Sequence, residues 1–552
     1  MTATANEARW KTFAPKRRVL AVTHNVTAAT RLLDVVHLIA EDPRLEVIFT
    51  DPGSSAFPAG TDDFLRACGV RQLPWREAVE EQFTLAISAS HGPTLHELNC
   101  PILIIPHGMG YNKYLETGNR KPETGNRKPE TVFGLSGDWL LHDGRMIASV
   151  LGLSHDEQLH RLARDCPPAV SNAKVVGDLA FDQLTASQVR RAAYRKALGV
   201  SDDETLVLVS STWGSDSLLG RIADLPAALG TQLPADEFRI AVAVHPNVWW
   251  GHSPWQVRQW LAGCTRAGVT VFEDPDDWRA SLVAADVVVG DHGSVTFYAA
   301  ALGTPVILAV APEHAVAPDS PIGMFLRRAP RLTDLDDLAG QVRKIVANHD
   351  PSRLADVTSL TTSLPGSSAA ILRAVLYDLL ALPEPALAAD TPLLPAPAQV
   401  LSRCASHLVQ VIPDGPAAAQ VTRFPAERLR SSGDVGALLL VVGPGETSRR
   451  WHELADVIVG ALGDGTPRWV AATLGQALGA VLATAPGDDG QWLLGDRHGG
   501  LRRVSAAGDL FAAVALRELA AGRGLNDLTG TWRLTVNSNV IDVTISSADD
   551  VD

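Results

Sequence analysis

The segment from Val287 to Leu308 constrains the fold more than any other stretch of this 552-residue chain. Val287-Val288-Val289-Gly290 is a short β-branched run of the kind buried on both faces of a parallel sheet. Asp291-His292-Gly293-Ser294 follows as a polar turn, and a helix of about two turns closes at Gly303 and Pro305 before a second apolar strand begins at Val306. Ser294 stands where an N-cap belongs. The free N–H groups of that first turn, with the positive end of the helix dipole, would form an anion site at the carboxyl edge of the sheet, where nucleotide phosphates bind. An ordinary strand–helix–strand connection without a ligand has the same pattern, so the remainder of the chain must decide.

With 46% hydrophobic and 20% charged residues, the chain is globular and long enough for several cores. A net charge of −14 argues against a nucleic-acid partner, and Lys16-Arg17-Arg18 is too short a basic run to reverse that. Cys68, Cys100, Cys166, Cys264 and Cys404 lie far apart with no CxxC pair, which speaks against a zinc site or a disulfide framework and for a reducing, cytoplasmic setting. No metal and no resident cofactor are expected. Met1 to Phe13 lacks the apolar core of a signal peptide, and no stretch reaches the roughly 18 uninterrupted apolar residues of a spanning helix.

The pattern predicts an α/β protein with two doubly wound halves. In residues 15–172, the strand Val19 to Thr23, the helix Ala28 to Ala40 and the strand Leu45 to Thr50 form a βαβ start, and Thr84 to Ser88 and Pro101 to Pro106 add strands that end in His-bearing turns. No GxGxxG follows the first strand, which makes a nicotinamide or flavin dehydrogenase improbable. A second half, residues 173–382, opens with Val175-Val176-Gly177-Asp178 and adds strands at Leu206 to Ser210, Phe238 to Val244, Val269 to Phe272, Val287 to Val289 and Val306 to Val310. Residues 383–399 are Pro-rich and read as a linker. Residues 400–552 read as a small α+β domain, with a helix from Arg449 to Leu462, a strand from Trp469 to Leu474, a helix from Leu510 to Ala521 and a final strand pair.

Three histidines fall at predicted strand ends: His107, His245 and His292. Such ends face the ligand crevice of an open α/β sheet, and Ser211-Thr212-Trp213-Gly214 occupies a fourth. A lone histidine there is usually structural. Three of them with a fourth polar turn point to one shared cleft between the halves. Trp249, Trp250, Trp255 and Trp260, just after His245-Pro246, read as core packing, as a stacking platform for a sugar, or as a peripheral membrane contact.

At this point the chain resembles the CDP-glycerol glycerophosphotransferase family and, more loosely, the UDP-N-acetylglucosamine 2-epimerases and other GT-B nucleotide-sugar enzymes, over about residues 15–350. His107-Gly-Met-Gly-Tyr-Asn-Lys113 is similar to the family's His-Gly turn with its following Lys, and Val176-Gly-Asp-Leu-Ala-Phe-Asp182 to its hinge. Ser211-Thr212-Trp213 resembles its Pro-Thr-Trp, His245-Pro246 its His-Pro, and Asp291-His292-Gly293-Ser294 its Asp-Tyr-Ser-Ser. The resemblance implies a GT-B-like pair of Rossmann-type domains, with His107 as base on an acceptor hydroxyl and His245, Ser294 and the Gly293 turn holding the leaving pyrophosphate. Asn25, Lys113, Thr212, Trp213, His292 and Thr296 complete the candidate binding set. The chain departs from the family at Gly214, where an Arg is usual, and at Tyr298, where an acidic residue commonly holds the ribose.

The expected activity is transfer of a glycosyl or alditol-phosphate group from a CDP- or UDP-linked donor to a hydroxyl acceptor. A UDP-sugar 2-epimerase would need carboxylates around the sugar, for which Asp178, Asp182 and Asp291 are the candidates. A non-catalytic nucleotide or glycan sensor on the same fold is the third reading, and a homo-oligomer is compatible with all three. The heptapeptide Thr117 to Glu123 is repeated at once as Thr124 to Glu130, a duplication that persists where extra loop length costs little. Deleting Thr124 to Glu130 is expected to leave the melting temperature nearly unchanged, and a large drop on that deletion would show the segment to be packed.

Overall fold

The computed structural model describes residues 12–53, 60–114, 131–431 and 437–548. The duplicated heptapeptide lies outside these residues. Six parallel strands make the first sheet: β1 (Arg17–Val22), β2 (Leu45–Thr50), β3 (Leu85–Ser88), β4 (Ile102–Ile104), β5 (Val150–Leu153) and β6 (Ala173–Val175), in the order β2-β1-β3-β4-β5-β6. Val19 to Val22 have no exposed surface at all, as expected for a strand covered on both faces. Helix α1 (Val26–Val36) follows β1, with the Asn25 side chain accepting the Ala28 N–H as its N-cap.

Strand β6 belongs to this first sheet, although its sequence reads as the opening of the second half. It pairs in parallel with β5, a strand the sequence reading passes over because Gly152 interrupts it. A Cβ at Gly152 would lie 3.2 Å from the Ile104 carbonyl oxygen and 3.1 Å from Val176, so the glycine permits close packing. After β6 the chain crosses through Gly177, at φ +79°, into helix α2 (Leu179–Ser187).

The second sheet is also parallel, with β7 (Thr205–Ser211), β8 (Phe238–Val244), β9 (Thr270–Phe272), β10 (Val287–Gly290) and β11 (Val306–Leu308) in the order β9-β8-β7-β10-β11. Its helices include α3 (Pro246–His252), α4 (Asp277–Ala284) and α5 (Ser294–Ala301). Helix α6 (Ser368–Leu380) then returns to the first domain, where Leu372, Val375 and Leu376 pack in one core with Val19, Leu32 and Leu85. The Asp182 carboxylate holds the start of α6, accepting the Gly366 and Ser368 N–H groups at 2.7 and 3.0 Å. The span 173–382 therefore lends its first strand and its last helix to the first domain.

The Pro-rich stretch is laid along the second domain rather than free of it. Leu394 is buried, its N–H donates to Ser187 Oγ at 2.9 Å, and its carbonyl accepts the Tyr194 hydroxyl at 2.6 Å.

The α+β expectation for residues 400–552 is corrected by the structure. The described part is a closed nine-stranded barrel: β12 (Ser406–Pro413), β13 (Ala418–Pro425), β14 (Leu439–Val442), β15 (Val457–Val459), β16 (Leu482–Pro486), β17 (Trp492–Asp496), β18 (Leu501–Val504), β19 (Gly530–Val536) and β20 (Asn539–Ser547). Thr466 caps and Pro467 opens helix α7 (Pro467–Gln476), where a strand was expected, and the helix expected over 449–462 stops at Leu454 before β15. Helix α8 (Gly508–Ala520) buries Leu510 to Leu516 all round, in one core with inward residues of the barrel strands such as Val409, Val457 and Leu494. A helix apolar on every side belongs inside a shell, and this one fills the barrel. Arg423 of β13 joins the barrel to the second domain, its Nε 3.0 and 3.1 Å from the two Asp236 oxygens and its Nη1 3.0 Å from Asp509. Phe511→Ala in the filling helix is expected to cost about 3–5 kcal/mol in chemical denaturation, and a loss below about 1 kcal/mol would mean that α8 does not pack as described.

Candidate functional site

The carboxyl ends of both sheets open into one cavity of about 940 Å³, at the upper end of the usual range for small-molecule sites. From the first domain it is lined by the turns after β1, β3 and β4, and from the second by the turns after β7, β8 and β10.

Asp291 organises the second-domain side. It has no exposed surface; its Oδ2 accepts the Thr212 and Leu218 N–H groups at 2.9 and 2.8 Å, and its Oδ1 accepts the Gly293 N–H at 2.9 Å. Burial pushes its pKa up while these donors and Lys113 oppose the rise. One carboxylate thus ties the turn after β7 to the turn after β10. Gly293, not Ser294, is the N-cap of α5. Ser294 is the first helical residue, and its Oγ accepts the Met109 N–H at 3.1 Å, a bond that spans the two domains. A Cβ at Gly108 would meet that Oγ at 2.7 Å, which accounts for the glycine. The first-turn N–H groups of α5 have no intrahelical acceptor, and Gly293, Ser294 and Val295 line the cavity.

His107 and His245 line the cavity in opposite tautomers. The Ala89 carbonyl, which can only accept, sits 3.0 Å from His107 Nδ1, so Nδ1 carries the proton and Nε2 is left as an acceptor. The Asn247 N–H, which can only donate, sits 3.1 Å from His245 Nδ1, so the proton of that ring is on Nε2. Burial holds both rings neutral, His107 at about 4 and His245 at about 3, with Lys113 adding to both shifts. Lys113 itself donates to Thr212 Oγ1 at 3.2 Å across the domain boundary and stands 5.8 Å from the Trp213 ring centroid. Its backbone is fixed by flanking bonds, Tyr114 N–H to Ala315 O at 3.1 Å and Ala317 N–H to Asn112 O at 2.8 Å. Burial lowers its pKa and Asp291 opposes the shift.

The structure therefore brings His107, His245, Asn25, Lys113, Thr212, Trp213, Gly293 and Ser294 to one cavity. His292 and Thr296 are not part of its lining. The His292 ring is buried with Nδ1 unpartnered, and the Thr296 Oγ1 lies only 2.1 Å from where a Cβ on Gly290 would be, beneath the strand end. Asn25 lines the cavity, but its side-chain oxygen is committed to capping α1. In the Trp cluster, Trp249 is 5% exposed and belongs to the core, whereas Trp255 and Trp260 are 65% and 59% exposed.

Sequence reasoning missed several lining residues. His24 and His91 stand behind His107 with all four ring nitrogens buried and unpartnered, and burial lowers them to about 4 and about 3. Both follow strand ends, the same signal that singled out His107. Arg31, which lines the cavity, lies 3.3 Å from the Asp34 carboxylate of α1, which Arg279 of α4 grips in a bidentate pair at 2.9 Å each. Tyr298, at the expected acidic position, donates its hydroxyl to Asp178 at 2.7 Å and stacks on Phe181, with ring centroids 5.9 Å apart.

No protein-family model and no curated protein matches the chain. Solved structures similar to it include the two groups that its motifs resemble. One is the wall teichoic acid polymerase TagF, at 13% identity over 67% of this chain and 90% of that one, with a TM-score of 0.43. Another is the UDP-GlcNAc 2-epimerase from Neisseria meningitidis bound to UDP-GlcNAc, at 11% identity over 66% and 100%, with a TM-score of 0.38. A third is Anabaena HepE in complex with UDP-glucose, at 14% identity over 66% and 100%, with a TM-score of 0.37.

Six histidines, His24, His91 and His292 buried and His107, His245 and His407 half-buried, titrate below the ordinary value of 6.5. The unfolded chain binds their protons first, so the stability they allow is complete above pH 6.5 and is lost as pH falls toward about 4. For the fully buried His24 and His91 the loss at about pH 5 is on the order of 2 kcal/mol each. Carboxyl groups raised by burial, Asp34 to about 7 and Asp277 to about 6 among them, work in the opposite direction and offset part of the loss. The melting temperature is expected to fall steeply from about pH 7 to about pH 5, and a flat profile would contradict the neutral-histidine cleft.

Proposed function

We propose that this protein transfers a glycosyl or alditol-phosphate group from a nucleotide-activated donor to a hydroxyl acceptor in the cavity between its first two domains. The observation that carries the reading is the pair of oppositely locked histidines, an acceptor nitrogen on His107 and a donor N–H on His245, beside the open start of α5 and the Lys113 ammonium. His107 Nε2 takes the proton of the acceptor hydroxyl as its oxygen bonds to the transferred phosphorus or anomeric carbon. The bond from that centre to the nucleotide oxygen breaks, and the charge left on the departing nucleotide, a diphosphate after glycosyl transfer or a monophosphate after alditol-phosphate transfer, meets the α5 N–H groups, Lys113 and His245 Nε2–H. The low pKa of His107 belongs to the unliganded cleft, and the negative charge of a bound diphosphate raises it toward the range useful for a base. The reaction so read uses no resident cofactor.

Epimerisation is less well supported, because each candidate carboxylate has structural work. Asp178 accepts from Tyr298 and from the Phe181 N–H, Asp182 holds the start of α6, and Asp291 joins the two turns. A sensor is favoured by one observation, the buried Tyr298 at the position where an acidic residue would hold a ribose. A thermal-shift series with CDP, UDP, GDP and their sugar or glycerol conjugates tests nucleotide binding, since a ligand of the folded state stabilises it by mass action. At least one should raise the melting temperature, and Gly293→Val should abolish that rise by filling the phosphate approach. His107→Ala is expected to lower nucleotide release from the preferred donor by about 10²-fold to 10⁴-fold while keeping the thermal shift. Turnover that survives His107→Ala would overturn the assigned base, and binding without turnover by the wild type would favour the sensor.

A further inference from the structure

The wall beside His107 says what kind of molecule carries the hydroxyl. Four rings are joined by three edge-to-face contacts centred on Phe133: to His91 with centroids 5.5 Å apart at 89°, to Trp139 at 4.7 Å and 74°, and to His107 itself at 6.1 Å and 63°. Phe133, Trp139, Leu141 and Ile147 all line the cavity, and Leu141 and Ile147 pack against one first-domain core. The polar atoms of this wall are out of reach. Trp139 Nε1, Ser136 Oγ and both nitrogens of His91 are buried beneath the surface without partners, and the Ser88 hydroxyl is spent on the Ser90 carbonyl at 2.7 Å. Among the described residues, exposed Asp138 and exposed His142 also line the cavity, His142 stacked on His96 with ring centroids 3.5 Å apart.

A polyol or a sugar seated here would strip water from several hydroxyls with no partner to replace it, at roughly 1–3 kcal/mol for each unsatisfied group. A flat apolar body would gain from every ring it covers. Among the described residues the cations that line the cavity are engaged with partners of their own, Lys113 at Thr212 and Arg31 at Asp34, and neither belongs to the ring wall itself.

We propose that the acceptor is a hydroxyl group borne on an apolar ring system, an aromatic or polycyclic alcohol or phenol, seated against Phe133 and Trp139 with its oxygen toward His107 Nε2. This rests on the reading of His107 as the base, but the binding it requires can be measured without any donor. The bonds made and broken are those of the transfer already described: the ring-borne oxygen replaces the nucleotide oxygen at the transferred centre, and its proton passes to His107.

The probe is 2-naphthol, followed by its own fluorescence in the absence of nucleotide, with glycerol and methyl glucoside as competitors. Saturable binding is expected, undisturbed by a large excess of either competitor. Phe133→Ser and Trp139→Ala should each weaken it roughly tenfold or more, and Trp139→Phe should retain most of it. An unchanged far-ultraviolet circular dichroism spectrum establishes that the variants are folded, whether or not any nucleotide binds. With the preferred donor present, naphthol should speed nucleotide release and yield a conjugate of the expected mass. Absence of saturable binding, displacement by glycerol or glucoside, or affinity unchanged in both truncated variants would overturn the proposal. A nucleotide thermal shift without naphthol binding would overturn it while leaving the transferase reading in place. Naphthol binding without any nucleotide shift would instead count against the donor site alone.

Discussion

The second-domain face of the cleft depends on one buried carboxylate. Removing Asp291 from water carries a penalty of several kcal/mol, and the protein offsets it with three backbone N–H donors drawn from two different turns and the start of a helix. Those bonds hold Thr212 beside Lys113 and set the angle at which α5 leaves its strand. The open N–H groups of α5 and the side chains around them are placed by this single acceptor. An Ala replacement would leave three donors short of an acceptor in a dry interior, so the group acts as a joint and not as a reagent.

Burial also decides the chemistry of the first-domain face. The imidazoles of His24, His91 and His107 share one pocket wall with little water, and a charge on any of them would meet both the desolvation penalty and the neighbouring rings. Neutral rings must then be told apart by their hydrogen bonds. A carbonyl behind one and an amide behind the other give His107 and His245 opposite polarity with no charge on either. The same dryness that holds the rings neutral makes the adjoining wall of Phe133 and Trp139 suited to apolar surface.

Much of the α/β architecture was legible because its signals are local. Runs such as Val19 to Val22 and Val287 to Gly290, each followed by a polar turn and a capped helix, carry their meaning within a dozen residues. The placement of strand ends at a common crevice follows from the same pattern. What depends on distant partners was not legible. Strand β6 joins the first sheet because β5 is beside it, and nothing in Ala173 to Val175 says so. Tyr298 and Asp178 meet across 120 positions of sequence. His292 looked like a cleft residue by position, but its turn faces Asp291 inward and turns the ring away from the cavity lining. The barrel escaped notice because several of its strands are three to five residues long, and the apolar run of Trp469 to Leu474 has no marker of its own to distinguish strand from helix beyond Thr466 and Pro467 just before it.

The helix inside the barrel has a consequence for how the chain reaches this state. Strands β19 and β20, which follow α8 in sequence, are the ones that pair with β13 and β18 and so complete the wall around it. Until they arrive, a helix apolar on every side has only part of its shell, and the partly built barrel shows both greasy surface and unpaired strand edges. Closure joins β13 to β19 across more than a hundred residues, which makes it a late and slow event among the steps of folding. A nascent or truncated chain lacking these last strands is thereby a substrate for chaperones and proteases, whereas the sealed domain offers them neither edge nor helix.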